Sequence, residues 1–378
     1  MAIILHVITG LNNGGAEAVL ARLVAGDREN THEVVSLMDE GFHGEHLAAA
    51  GVPVHALGMP RGRITVRGLA RLYRIIRQRD PDVVQTWMYH ADLIGGVLAR
   101  LAGKRAVVWG IRNAYLNPMT SVWSTRAVAR ACALLSGTVP ARIVSCSVAG
   151  ARAHTSLGYS AAKMTVIANG YDVERLAPDE GARGRLRREW GVEPDVFLVG
   201  MVARWDAQKD HATLLHALGL LQTRLPMAWR CILVGPDMTP DNRTLMTLLE
   251  AHCLHDRVLL LGPRSDVTGI MSALDLHVLS SVGEAFPNVV AEAMACGTPC
   301  LVTDVGDAAM MVGATGWVVP PRDPQRLADG VATAAAELAD PARRQRLQAA
   351  ARARVSEEFG LPRMVSAYGR VWREARHE

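Results

Sequence analysis

Thirteen short runs rich in Val, Ile and Leu alternate along the chain with longer stretches of helical periodicity. The runs are continuously apolar, which marks strands buried on both faces, the habit of parallel sheets. Parallel neighbours need crossover connections, and the intervening helical stretches supply them. Seven runs fall before residue 168: IILHVIT, HEVVSL, VPVHAL, DVVQTW, RAVVWG, RIVSC and MTVIA. Helices are expected between them, for example over 16–25 and 66–79. At Ala168-Asn169-Gly170-Tyr171-Asp172 the rhythm stops, and the polar stretch APDEGARGR follows. Six further runs then repeat it: VFLVGMVA, RCILVG, RVLLLG, LDLHVL, TPCLVT and TGWVVP. The expectation is an α/β chain of two doubly wound, Rossmann-like domains, 1–172 and 173–359, facing across a cleft at the carboxyl ends of their strands.

A chain of 378 residues is long for one core, which agrees with two domains. Hydrophobic content of 49% and charged content of 21% are those of a soluble globular protein. Lysine occurs only at Lys104, Lys163 and Lys209, which makes Lys209 easy to single out. The net charge of +4 hides an asymmetry: 18 basic and 10 acidic residues in 1–170 give +8, and 23 and 27 in 171–378 give −4. A basic first half suits an anionic lipid surface or a phosphorylated acceptor. Nucleic acid is not expected as a partner. The six cysteines show neither CxxC pairs nor zinc spacing, so buried free thiols in a reducing compartment are expected. The N-terminal MAIILHVITG lacks a basic flank and reads as a strand, not a signal peptide. No segment has the length of a membrane span. A cytoplasmic protein is expected, with peripheral contact at the inner face of the membrane as an open possibility.

The chemistry-bearing residues follow strand ends. After the first run comes GLNNGGAEAVL, where Gly14 and Gly15 let the backbone approach a ligand and a helix start offers free N–H groups. The spacing is not GxGxxG, so no dinucleotide site is read. His90 follows DVVQTW, as a ligand contact or as a local packing residue. After VFLVGMVA, Arg204 and Lys209 stand five apart, a forked guanidinium and a compact ammonium suited to clamp a diphosphate. Cations near a helix N-terminus are unfavourable unless an anion is close. Arg264 in LGPRSDV is expected to line a nucleobase. The segment EAFPNVVAEAMACGTPC, residues 284–300, places Glu284 before a helix expected over 286–296 and Glu292 inside it. Phe286, Pro287 and Asn288 form the helix entry, with Pro287 in the first turn and Asn288 capping or donating. Carboxylates suit sugar and ribose hydroxyls. Asp80-Pro81-Asp82 is formally Asp-x-Asp, but it enters a strand, and no metal is assigned. Arg67, Arg71 and Arg74 share a face of the helix at 66–79, opposite Leu69, Leu72, Ile75 and Ile76. That face is either a solvated crossover surface or a lipid contact.

The spacing Glu284-x7-Glu292, the Arg204-x4-Lys209 pair and the Gly14-Gly15-Ala16 loop resemble glycosyltransferase family 4, in the right order along essentially the whole chain. The resemblance implies a GT-B fold in which a C-terminal helix, 360–378, packs back on the first domain. It implies a nucleotide-diphosphate-sugar donor held by the second domain, as substrate and with no cofactor or metal. A glycan or polyprenyl-linked acceptor held by the first is also implied, with retention at the anomeric carbon. In its terms Arg204 and Lys209 stabilise the departing diphosphate, Glu284 binds the sugar and Glu292 the ribose. The Gly14-Gly15 loop lies over the diphosphate. Arg112 stands where many relatives carry a histidine beside the transferring sugar, a departure from the pattern. Bacterial surface polysaccharide assembly is the implied setting. Two alternatives remain open at this point, a nucleotide-sugar epimerase of the same fold and a non-catalytic nucleotide-sugar-binding protein.

Overall fold

The structure is a computed structural model that describes residues 1–114 and 123–378. All thirteen apolar runs are strands. β1 (Ile3–Ile8), β2 (Thr31–Ser36), β3 (Val54–Ala56), β4 (Val83–Trp87), β5 (Val107–Ile111), β6 (Arg142–Ser145) and β7 (Met164–Val166) form one parallel sheet. Its order is β3-β2-β1-β4-β5-β6-β7. The second sheet comprises β8 (Phe197–Val202), β9 (Trp229–Val234), β10 (Val258–Leu260), β11 (Leu276–Leu279), β12 (Cys300–Thr303) and β13 (Trp317–Val319). It is also parallel, in the order β10-β9-β8-β11-β12-β13. Both sheets reverse their winding direction once, between β1 and β4 in the first and between β8 and β11 in the second. Ligands of doubly wound sheets gather at the carboxyl ends of such strand pairs.

The chain divides into two compact units, Met1–Gly170 with Leu361–Glu378, and Tyr171–Gly360. The last helix, Leu361–Arg376, belongs to the first unit because its apolar side completes that core. Met364, Tyr368, Val371 and Trp372 are buried with Ile4, Ile8, Leu20 and Trp87. The Trp372 indole donates to Gln85 Oε1 on β4 at 3.0 Å, which satisfies both groups away from water. On the other face of the same sheet, Leu72 and Ile76 of the Val66–Arg79 helix pack with Val84, Trp109 and Ile143.

In the second unit Phe197, Val199, Leu214, Leu218, Leu276 and Val278 form the centre of the core. The polar stretch APDEGARGR, read as a boundary segment, instead starts a docked helix, Glu180–Glu189. Arg183 and Arg187 bind the two carboxylate oxygens of buried Asp275 at 2.7 and 2.5 Å. Burial opposes ionisation of Asp275, yet the two guanidinium groups hold its pKa below the usual carboxylate range. A second correction concerns the thiols: Cys253 is exposed, while the other five cysteines are buried and free.

Candidate active site

The second sheet brings together the side chains that follow β8 and β11. Lys209 precedes the helix His211–Leu221, which Asp210 caps by accepting from the Thr213 N–H at 3.2 Å. Asp210 itself is left-handed, with φ of 47°, so the chain turns sharply just after Lys209. Ser280, just beyond β11, donates to the carbonyl oxygens of Lys209 and Asp210 at 2.9 and 3.1 Å. Val282 N–H donates to Gln208 O at 2.8 Å. These bonds stitch the two loops across the winding reversal. Across that seam Lys209 Nζ donates to Glu284 Oε1 at 2.6 Å, and the side chains are 18% and 11% exposed. Ser281 Oγ donates to the same oxygen at 2.7 Å. Removing either partner of so enclosed a pair would strand a charge away from water.

Arg204 behaves differently. Its side chain is 60% exposed, and its Nε donates to Asp206 Oδ2 at 3.2 Å. Its terminal nitrogens therefore face solvent with their donors unspent. Burial resists ionisation of Asp206, but the Gln208 N–H and Arg204 keep its pKa below the usual range. The His211 ring packs at a tilt against Trp205, 5.0 Å between centres, and burial, then Lys209, lowers its pKa to about 4. It is neutral at ordinary pH and adds no charge to the cluster.

The helix predicted over 286–296 runs over Asn288–Ala295, with Pro287 as its N-cap residue. Phe286 is buried edge-on against Phe359 at 5.3 Å, so it anchors the loop. Asn288 does not cap: its Oδ1 accepts from the Tyr171 hydroxyl at 2.6 Å. Glu292 lies within that helix, past its first turn, and is half-buried. Gly306 packs the loop from behind, with φ of 57° and a position where a Cβ would stand 2.2 Å from the Glu284 carbonyl oxygen. Only glycine fits there. Arg264 is engaged elsewhere: it grips both Asp266 oxygens at 2.8 and 2.7 Å and reaches Glu189 at 3.1 Å. Its fork is committed to these two carboxylates.

In the first unit the corresponding strand ends carry Gly14, Gly15, His90 and Arg112. Gly14 is the extended N-cap of the Gly15–Gly26 helix. The Glu17 carboxylate folds back over that helix start: a Cβ on Gly14 would stand 2.4 Å from its Oε2. Burial raises the Glu17 pKa, against hydrogen bonds from its own N–H and that of Ala16 and the attraction of Arg112. The N-terminus read as open for a ligand is thus filled by the protein's own anion. His90 sits in the first turn of the Tyr89–Leu101 helix, half-buried, and burial lowers its pKa. The residue before that helix, Met88, holds φ of 70° and ψ of 157°, a conformation costly for any side chain. Arg112 Nη2 donates to Asn169 Oδ1 at 2.5 Å, and its guanidinium lies 5.2 Å from the Trp87 ring centre. It pairs with an amide of the 168–172 turn, and not with a carboxylate. Asp80 and Asp82 are also spoken for, by Lys104 at 2.5 Å and Arg376 at 3.3 Å. Among the described residues no group of three or more His, Cys, Asp or Glu side chains is placed to hold a metal ion.

With this geometry in hand, two family models match the chain. Glycosyltransferase Family 4 covers residues 13–175, and Glycosyl transferases group 1 covers 193–337. The chain belongs to glycosyltransferase family 4. It is 26% identical over 247 residues to the Escherichia coli UDP-Gal:alpha-D-GlcNAc-diphosphoundecaprenol alpha-1,3-galactosyltransferase, across 64% of this chain and 62% of that protein. It is 32% identical over 181 residues to the D-inositol 3-phosphate glycosyltransferase of Corynebacterium glutamicum, across 45% of this chain and 43% of that protein. The matches therefore span less than two thirds of either relative. In fold it is similar to Anabaena HepE crystallised with UDP, with a TM-score of 0.84, 24% identity and coverage of 97% and 98% of the two chains. Two parallel wound sheets and this neighbour establish the GT-B fold.

Sequence reasoning missed Ser280, Ser281, Asp206, Glu17 and Gly306 as neighbours of the candidate residues. Small polar residues directly beyond a strand, as in HVLSS, and glycine after a strand, as in TDVGD, were the available signals.

Proposed function

We propose that this chain transfers a sugar from a nucleotide-diphosphate-sugar to a glycan or polyprenyl-linked acceptor, with retention at the anomeric carbon. The observation that carries the reading is the Lys209–Glu284 pair, bridging the ends of β8 and β11 where a doubly wound sheet takes its ligand. Lys209 has three N–H donors and spends one on Glu284, which leaves two for diphosphate oxygens. Arg204 meets the same group from the solvent side with its unspent fork. Glu284 receives Lys209 and Ser281 on one oxygen, so the other is available to a sugar hydroxyl. Glu292 takes the ribose hydroxyls. UDP in HepE and the UDP-Gal of the Escherichia coli relative's name support a nucleotide donor by analogy.

In the proposed step the bond from the anomeric carbon to the diphosphate oxygen breaks as the acceptor hydroxyl attacks from the same face. Its proton passes to a departing phosphate oxygen. Lys209 and Arg204 offset the charge that grows on the diphosphate, where stabilisation has most effect on rate. The first unit, through His90, holds the acceptor. Surface polysaccharide assembly with peripheral contact at an anionic membrane is the setting we favour. No helix among the described residues is long and apolar enough to cross a membrane.

The test is a donor screen with UDP-, GDP- and ADP-sugars, followed by transfer onto lipid-linked acceptors and NMR of the product's anomeric configuration. An inverted product, or donor turnover by the wild type that does not respond to any acceptor, would contradict the proposal.

A further inference from the structure

The first unit carries a second concave surface, which shares no residue with the strand ends that hold the family motifs. It lies between the Val66–Arg79 helix and the edge strand β3, encloses about 440 Å³ and is lined by His55, Arg71, Arg74, Ile75, Gln78 and Arg79. We propose that this groove binds a phosphate group, gripped by Arg71, Arg74 and Arg79.

Three observations carry the inference. The first is the donor inventory. Arg74 makes no hydrogen bond or ion pair among the described residues, so its whole fork is unspent. Arg71 gives one Nη1 hydrogen to the Ala56 carbonyl at 2.8 Å and keeps the rest. Arg79 gives its Nε to Glu33 at 3.1 Å and keeps its terminal nitrogens. The second is the counter-charge. Glu33 is the acid of this surface, and it is already bridged by Arg79 and by His55 at 3.3 Å. Three guanidinium groups against one carboxylate leave a local excess of +2, counted over the arginines and Glu33 alone. A single carboxylate ligand cannot match that, whereas a phosphate monoester carries nearly two charges and the bidentate geometry that arginine prefers. The third is the surrounding field. The first unit, residues 1–170 with 361–378, carries 22 Arg and Lys against 12 Asp and Glu, and among the acids of residues 61–170 are Asp80, Asp82 and Asp92. Asp92 is fully buried, and Asp80 and Asp82 already have cationic partners. Arg71 and Arg74 have no carboxylate partner here, and an anion bound between them would relieve their repulsion. The volume accommodates a phosphate with a small esterified group.

The phosphate has two possible sources, a soluble phosphate ester or the headgroup of an anionic lipid. The inference is independent of the sugar-transfer reading, because none of these residues belongs to the family site. Wild-type protein, Arg74→Ala, Arg71→Ala with Arg74→Ala, and Arg67→Ala are compared at about 0.1 M salt, where long-range fields are largely screened. Arg67 lies on the same helix outside the groove, so its loss changes net charge equally. One arm titrates inorganic phosphate and glycerol 3-phosphate by phosphorus NMR. The other measures sedimentation with phosphatidylglycerol/phosphatidylcholine vesicles against phosphatidylcholine alone. The expected result is saturable binding in one arm, about tenfold weaker in the double variant and within about twofold for Arg67→Ala. The arm that responds names the source. No wild-type binding in either arm would overturn the proposal, as would equal losses in Arg67→Ala and Arg74→Ala. Donor turnover, measured in parallel, is expected to be the same in all four proteins.

Discussion

Lys209 is one of only three lysines in the chain, and it is placed where an ammonium has two donors left over after its ion pair. Replacing it with alanine should lower turnover by at least about 100-fold, the scale of losing one charge stabiliser at a transition state. Folding should survive, since the site lies on loops outside the core, but with a lowered thermal midpoint, because Glu284 loses its enclosed partner. Near-normal turnover of Lys209→Ala, measured with the donor found in the screen, would refute its role. A second residue-scale prediction concerns Asp92, buried under β4 and β5. Burial pushes its pKa up to about 8, against bonds from the Thr86 hydroxyl at 2.5 Å and the Gly110 N–H at 3.1 Å. A folded pKa raised above the unfolded value means stability that is complete below about pH 4 and lost as pH rises through about 8. Between pH 6.5 and 8.5 the histidines with lowered pKa stay neutral, so this loss should stand out in that window. Asp92→Asn should flatten it; parallel stability curves for the two proteins would show that Asp92 does not titrate in the fold. Arg204, Lys209, Glu284 and Glu292 were legible as residue types at a spacing. The partnership of Lys209 with Glu284 was not, because it joins positions 75 apart through loops whose course depends on the sheet.

Elements were the most legible level. Each apolar run became a strand, the helix at 66–79 begins and ends where periodicity placed it, and the helix implied over 360–378 runs over Leu361–Arg376. Continuous burial on both faces leaves such a pattern little choice. What the pattern concealed was how loops pack on one another. That Phe286 anchors the loop, that Asn288 binds Tyr171 and that Arg264 clasps two acids was not legible. Any polar or aromatic residue near a strand end satisfies both a ligand-contact and a packing reading until its neighbours are known. The Gly306 contact gives the test at this scale. Gly306→Ala places a methyl against the Glu284 carbonyl in a left-handed backbone, with an expected cost of about 1–3 kcal/mol. It should lower the midpoint and turnover together. Unchanged turnover at a lowered midpoint would show that Glu284 does not depend on this packing.

At the scale of the whole molecule, the chain leaves its first unit at Gly170 and returns to it at Leu361. The turn between units divides its anchors, Asn169 to Arg112 in the first unit and Tyr171 to Asn288 in the second. Sequence placed the break here through Asn169-Gly170, a turn signal. It gave no sign that Arg112 would hold that turn, since nothing local links residues 57 apart. Removing residues 361–378 should strip Met364, Tyr368 and Trp372 from the first core. Calorimetry should then lose the transition of the first unit and keep that of the second; two intact transitions would contradict the assignment of the last helix. The central claim is that a diphosphate is held at the seam between β8 and β11 by Lys209 and Arg204. Its most direct test is calorimetric titration of wild type, Lys209→Ala and Arg204→Ala with UDP, GDP and ADP. The account predicts that one nucleotide binds the wild type and binds each variant at least about tenfold more weakly. Equal affinity in all three proteins would contradict it.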